Sequence, residues 1–352
     1  MLLEFKQLNF NPSKSRGLAA LGRSGVDLYP QQFAPMEKVI SFTKHVGGSP
    51  ANTAVQAAKM GLDTAFIGKI SRDPLGAYVK YYLNSVGVDT SHLTMEESGE
   101  KRQSLANAEQ PERGRISYFI YRQDPADLYL DMKDIDKAFI SQFKALLISG
   151  ASLCRSPARE AVLLAMEYAQ ASGVRIIFDP DYRKDGWNSL EETSLYYHQA
   201  AKYADIIIST REEFDILESL THPGNDDDRL SAEAYLNHRA SLVCIKHGEN
   251  GANVFTSDSR QFHGPVMPAR VYKTLGAGDS FCGTFIAKLM NGHPIDEALK
   301  YAAAAASITI SGKSCSDSMP DLVLLDSYMQ AWISGRIESW DGWKSIEKGE
   351  QI

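Results

Sequence analysis

From about Lys144 onward the chain alternates short β-branched runs with stretches of helical period, and few folds are compatible with that alternation. The runs are ALLISG (145–150), VRIIFD (174–179), DIIIST (205–210) and LVCIKHG (242–248). Each is apolar on both faces, as a strand covered on both sides must be. Between the first two, SPAREAVLLAMEYAQASG offers Ser156 as N-cap, Pro157 as the first helical residue and Gly173 as the stop. Strands joined by such crossover helices make an α/β fold with a doubly wound, mainly parallel sheet flanked by helices.

The first 140 residues read differently. FIGKI (66–70) is another core strand, preceded by the helix PANTAVQAAKMG, whose Ala51, Ala54, Val55 and Ala58 share one face. Segments 28–46 and 102–123 look like two-sided, partly exposed strands; ISYFIYR (116–122) is aromatic-rich and has no helical period. They are expected to form a small β lid over a pocket, inserted into one domain spanning 18–325. Residues 326–352 form a C-terminal extension with three of the four tryptophans, which is expected to dock on the rest.

Composition removes several function classes. At 352 residues and 43% apolar, the chain can bury a large core. No window approaches ~18 uninterrupted apolar residues, and MLLEFKQLNFNPSK lacks the pattern of a secretory signal, so a cytoplasmic address is expected. A net charge of −7 argues against a nucleic-acid partner. Cys154, Cys244, Cys282 and Cys315 are scattered without a CxxC pair and the histidines form no HxxxH, so reduced thiols and no transition-metal site are expected.

The stretch VYKTLGAGDSFCG (271–283) carries the chemistry. A glycine-rich turn opening a helix suits an anion, because bare N–H groups converge there and the helix dipole favours negative charge. There is no GxxxxGK[ST], and Phe281 stands where GxGxxG needs its third glycine, so neither a Walker-A nor a dinucleotide turn fits. What remains is an anion-binding turn with Asp279 in the first helical turn. A carboxylate beside a phosphate repels it, unless it takes a proton from a hydroxyl about to attack that phosphate. The structural alternative is that Asp279 only complements the helix N-terminus.

GGSPANTAVQAAKMG (47–61) together with TLGAGDSFCG (274–283) resembles the two signatures of the ribokinase-like sugar kinases, and GRSGVD, IGKISRDPLG, FDPDYR, TREEF and KHGENG follow in family order over roughly residues 18–320. The resemblance implies a doubly wound domain with a β lid, ATP and Mg²⁺ as cofactors, and transfer of the γ-phosphate to a sugar hydroxyl. It implies Asp279 as the catalytic base and the N–H groups of Gly276, Ala277 and Gly278 as an anion hole. On the substrate side it implies Asp27, Gly47, Gly48, Asn52 and Lys69. On the nucleotide side it implies Thr210, Glu213, Lys246, Gly248, Gly251 and Arg183, with Glu213 organising Mg²⁺ through water. Thr210 replaces the family's usual Asn, Asp181 another Asn, and Lys246 a usual Thr or Ser; Lys246 either reaches the ATP phosphates or is a plain strand-end lysine.

For the acceptor, IYRQDPADLYL (120–130) places Arg122 beside Tyr118 and Tyr121 on a lid strand. Arginine recognises a carboxylate bidentately, so an acid sugar is expected, with a solvated edge-strand charge as the alternative. Among family members the motifs are most similar to those acting on 2-deoxy-5-keto-gluconate, with 2-keto-3-deoxygluconate second and a sugar-binding sensor without turnover a remote third. A homo-oligomer paired through the lid edges is also expected. Lys273 departs from the family, whose usual acid there helps hold a monovalent cation. The lysine either supplies that charge itself, so that added K⁺ is unnecessary, or points its stem to water.

Overall fold

The computed structural model describes residues 8–112 and 115–337. In chain order the elements are β1 (Arg16–Leu21), β2 (Gly25–Pro30), β3 (Phe42–Gly47), α1 (Ser49–Lys59), β4 (Thr64–Ile70), α2 (Pro74–Ser85), β5 (Val88–Asp89), β6 (Leu93–Met95), β7 (Ser104–Glu112) and β8 (Arg115–Tyr121). There follow α3 (Lys137–Ile140), β9 (Phe143–Ser149), α4 (Ala158–Ala171), β10 (Arg175–Asp179), α5 (Leu190–Tyr203), β11 (Ile206–Thr210), α6 (Arg211–Leu217), α7 (Asp228–Leu236) and β12 (Leu242–Lys246). The chain continues through β13 (Ala252–Thr256), β14 (Gln261–Gly264), α8 (Ala277–Met290), α9 (Ile295–Ser311) and α10 (Leu322–Ile333).

The four apolar runs after Lys144 become β9 to β12, and burial on both faces explains their composition. Alternate residues of one strand enter different cores: Leu146, Ile148, Ile176 and Phe178 pack under α4 and α5, while Ala145, Leu147 and Ile177 pack under α1, α8 and α9. The central sheet runs β14-β13-β12-β11-β10-β9-β1-β4-β5, with β6 also on β4. It is parallel from β12 to β5, and the hairpin strands β13 and β14 extend it antiparallel at one edge. A doubly wound sheet of this kind binds ligands at the carboxyl ends of its parallel strands.

The lid is a second sheet in the order β3-β2-β7-β8, with β2 and β7 parallel and the outer pairs antiparallel. Its strands fall within or just beside the two segments read as lid. Strand alternation on β8 turns Tyr118 and Ile120 toward a cavity and leaves Phe119 and Tyr121 exposed on the other face.

Two boundaries differ from expectation. Helix α4 starts at Ala158 with Pro157 at the N-cap, and Ser156 Oγ donates to Glu160 Oε1 at 2.7 Å instead of accepting from the first turn. The division at 325/326 falls inside α10, whose Leu325, Tyr328 and Met329 are buried with Ala304 and Ile308 of α9, so this helix belongs to the core. Residues 338–352, including Trp340 and Trp343, lie outside the described residues. The four cysteines are all buried and unpaired. Among the described residues no helix is long and apolar enough to cross a membrane.

Candidate active site

The carboxyl ends of β1, β10, β11 and β12 converge on a cavity of about 460 Å³. Arg23 follows β1, Asp179, Asp181 and Arg183 end or follow β10, Thr210 and Glu213 lie at the β11–α6 junction, and Lys246 ends β12. The lid roofs it with Asp27, Ser104, Ala106, Tyr118 and Ile120, and α1 and α8 close the wall with Ser49, Asn52, Gly276, Gly278 and Asp279.

Asp279 sits in the first turn of α8, and both its oxygens are held: Ser49 Oγ donates to Oδ1 at 2.7 Å and Asn52 Nδ2 to Oδ2 at 2.8 Å. The close crossing of α1 and α8 makes this possible. One turn beyond Asp279, Gly283 lies so near α1 that an added Cβ would stand 2.7 Å from Thr53 O and from Gln56 Cβ. Burial raises the Asp279 pKa, and the bonds from Ser49 and Asn52 oppose the rise. A carboxylate raised by burial is a stronger base than a solvated one, and its hydrogen bonds favour the charged form that accepts a proton. The turn before it needs Gly276, whose φ is 85° and whose missing side chain is replaced by Cys315, 3.1 Å from an ideal Cβ. Gly276 and Gly278 line the cavity; Ala277 does not, and its N–H turns back to Thr274 O at 3.5 Å. The third anion-hole donor expected from the sequence is therefore diverted into the turn.

At the lid end, Asp27 is buried, and desolvation lifts its pKa to about 6 against the pull of Arg23. The two glycines that close β3 act differently from each other. Gly47 leaves room for the Asp27 carboxylate, since a Cβ there would lie 2.1 Å from Oδ1, whereas Gly48 caps α1 at φ 99° and lines the cavity. Asn52 spends its amide on Asp279, and its buried Oδ1 has no hydrogen-bond partner among the described residues, an acceptor that a ligand hydroxyl would satisfy.

At the other end, Lys246 Nζ lies 3.3 Å from where a Cβ on Gly278 would be, beside the turn. Burial works against its charge, but Asp179 and Glu213 outweigh this and raise its pKa. Asp179 is shifted upward by burial against the pull of Lys246. Glu213 closes a capping box with Thr210 and also accepts from Tyr182 N at 2.9 Å and Ser209 Oγ at 3.0 Å, so the carboxylate is fixed at the cavity edge. Asp181 holds two guanidiniums, with Arg183 Nη2 at 2.6 Å and Arg23 Nε at 3.1 Å, and also accepts from Ser149 Oγ at 2.9 Å. It does so from a left-handed backbone, φ 42°, a strained conformation that Asp tolerates better than most residues.

Several expected residues lie elsewhere. Arg122 is buried outside the cavity lining, where Nη2 pairs with Asp127, and Asp127 also accepts from Ser104 Oγ at 3.1 Å. The chain leaves β8 at Tyr121 and turns at Asp124, φ 52°, which brings Asp127 back to the Arg122 guanidinium. Lys69 pairs with Asp134 at 2.7 Å and does not line the cavity. Gly248 and Gly251, both at positive φ, form the tight turn from β12 to β13 and also lie outside the lining. Lys273 does not point to water: it is 1% exposed and donates to the carbonyls of Leu275 and Thr309.

Arg23 and Ser49 were missed in the sequence. Arg23 is buried in the cavity wall, with Nε and Nη2 on Asp181 and no acceptor for Nη1 found among the described residues. Its signal was a charge placed directly after an apolar strand, LAALGR, in a position that a doubly wound sheet turns toward its ligand.

Known proteins match this arrangement over most of the chain. A 5-dehydro-2-deoxygluconokinase of Geobacillus thermodenitrificans is 45% identical over 324 residues, covering 92% of this chain and 96% of that protein. Another protein of that name from Geobacillus kaustophilus is 43% identical, covering 93% and 98%. An Escherichia coli structure described as a putative ribokinase II in complex with ATP and Mg²⁺ superposes with a TM-score of 0.80 at 21% identity, covering 90% of this chain and 99% of that one, a likeness of fold. The pfkB family carbohydrate kinase domain matches residues 16–322, which takes in every cavity residue described above, and on that ground the chain belongs to the pfkB family of carbohydrate kinases.

Proposed function

We propose that the protein transfers the γ-phosphate of ATP to the terminal hydroxyl of 5-dehydro-2-deoxygluconate, which is 2-deoxy-5-keto-gluconate. The observation that carries the chemistry is Asp279: a buried carboxylate oriented through both oxygens, between a glycine turn and a lid-roofed polar cavity. The substrate rests on the relatives at 43 and 45% identity, whose names specify it.

In this reading Asp279 takes the proton of the hydroxyl, whose oxygen then attacks the γ-phosphorus in line. The new phosphorus–oxygen bond forms as the bond to the bridging oxygen of ADP breaks. Gly276 and Gly278 N–H groups and Lys246 stabilise charge on the transferring phosphoryl group. Asp27 and Asn52 Oδ1 take sugar hydroxyls, and the acid is recognised by Arg23 through the Nη1 that Asp181 leaves over, since Arg23 lines the cavity and Arg122 does not. Among the described residues the cavity lining has three cations, Arg23, Arg183 and Lys246, against five acids, Asp27, Asp179, Asp181, Glu213 and Asp279, so ATP has to enter with a counter-cation. The donor set fits Mg²⁺: among the described residues no cluster forms a cage for a metal, and Asp179 and Glu213 are the one or two carboxylates that Mg²⁺ takes alongside phosphates and water. Bound there, Mg²⁺ would neutralise and align the phosphates. ATP as donor also supports a cytoplasmic location. Exposed Phe119 and Tyr121 on lid edge strand β8 support a homo-oligomer formed through the lid.

The test is ADP release with 5-dehydro-2-deoxygluconate, 2-keto-3-deoxygluconate, ribose and fructose. The first is expected to give the highest kcat/KM. A neutral sugar in first place would overturn the acid reading, and binding of the acids without ADP formation would overturn the kinase reading in favour of a sensor.

A further inference from the structure

The lysine of the KTLGAGD stretch has no part in the steps above, yet it is one of the largest fully buried side chains of the protein. Its Nζ donates to Leu275 O at 2.5 Å and Thr309 O at 3.4 Å, and no ion pair of Lys273 is found among the described residues. A charge buried on main-chain carbonyls alone is costly, and burial lowers its pKa while Asp279 and Asp27 work to keep it protonated. A methionine would fill the same space without that cost.

The peptide that joins Leu275 to Gly276 shows what the charge does. It is trans, so its C=O and N–H point in opposite directions. Lys273 holds the carbonyl from beneath, so the Gly276 N–H points away from the lysine, and Gly276 lines the cavity. An ammonium on the carbonyl also draws electron density from the amide and makes the N–H a stronger donor. The second carbonyl ties the turn to the last turn of α9, where Tyr272 N and Lys273 N also donate to Ile310 O at 2.8 and 3.2 Å.

We propose that Lys273 is a positioning residue for phosphoryl transfer: its ammonium orients and polarises the Leu275–Gly276 peptide toward the phosphate, doing what a bound monovalent cation would otherwise do. This rests on the ATP-dependent reading of the cavity. Two consequences follow. The wild-type enzyme needs no added K⁺, and loss of the ammonium lowers kcat while ground-state binding of ATP persists.

The experiment compares wild type, Lys273→Met and Lys273→Ala, using whichever candidate acid the wild type turns over. Initial rates are measured in KCl, NaCl, LiCl and NH₄Cl at constant ionic strength, with ATP affinity and thermal midpoints alongside. Expected are wild-type rates equal within about twofold in all four salts, and a fall in kcat of about 10²-fold for Lys273→Met with ATP affinity little changed. Ammonium or potassium, but not lithium, should restore part of the Lys273→Ala rate, because truncation leaves a carbonyl-lined space of cation size. Wild-type activation by K⁺ several-fold beyond Na⁺ overturns the proposal, as does a Lys273→Met enzyme with kcat within threefold of wild type. If Lys273→Met does not fold, the wild-type salt series and the rescue of Lys273→Ala decide; a folded Lys273→Ala that no cation restores counts against it. Absence of any wild-type turnover would instead refute the substrate reading, so the two failures are distinct.

Discussion

One methyl group at Gly47 tests how the acceptor is held. The Cβ of Gly47→Ala would stand 2.1 Å from Asp27 Oδ1, 2.4 Å from Cγ and 2.6 Å from Oδ2. Ordinary contact requires the carboxylate to retreat by roughly 1 Å or more, enough to break a hydrogen bond to a bound sugar. The backbone itself tolerates alanine, because Gly47 is not among the residues with positive φ. A hydrogen bond to a charged group contributes about 1.5–3 kcal/mol, so losing one raises the KM for the sugar acid by roughly 10- to 150-fold. The assay is initial rate at saturating ATP with varied sugar acid, then the reverse, beside a thermal melt. The KM for ATP should stay within about twofold. In an Asp27→Ala background the same methyl should add nothing, since the group it displaces is gone. An unchanged sugar KM, or an equal loss in both backgrounds, would refute the assignment of Asp27 to the acceptor.

Other outcomes follow from the same geometry. Asp279→Asn keeps space and most polar contacts but removes the base, so kcat should fall by at least ~10²-fold with ATP affinity retained by calorimetry. Arg23→Met should raise the KM for the acid more than Arg122→Met does, while Arg122→Met, which leaves the buried Asp127 without its cation, should show chiefly as a lower thermal midpoint. The reverse pattern would restore Arg122 as the acid-binding residue. For pH, the Asp27 carboxyl is raised by burial from 3.8 to about 6, so its ionisation carries a stability penalty: the penalty is absent below the lower value and complete above the higher one. Sugar binding should correspondingly weaken as pH falls through about 6, and Asp27→Asn should remove that step and raise the thermal midpoint at pH 8.

The parts of this protein legible from sequence are those set by local pattern. Buried parallel strands announce themselves as ALLIS or DIIIS, and the turn that opens α8 requires a left-handed residue at Gly276. Arg122 shows where such reading stops. The lid strand ends at Tyr121, one residue short of Arg122, and whether the guanidinium faces a ligand or an internal acid depends on the turn at Asp124 that brings Asp127 back to it. Arg23 was passed over for the converse reason: it looks like a loop charge until β10 delivers Asp181 from 158 residues away. Lys273 needed its two carbonyl partners, one of them supplied by α9, before its side chain could be placed at all.

The two sheets divide the labour unequally. Among the described residues the side chains that hold Asp279 come from α1, and the groups proposed to face the phosphates come from α8, β12 and α6, all in the core domain, whereas the lid contributes Asp27, Ser104, Ala106, Tyr118 and Ile120. Substitutions at the lining positions of β7 and β8 can therefore reshape the acceptor end while Arg23, Asn52 and the proposed phosphoryl-transfer groups stay in place. A lid sequence grafted from a relative with another acceptor should move specificity while kcat on the new substrate survives, which makes this protein a host for redesign at one face only.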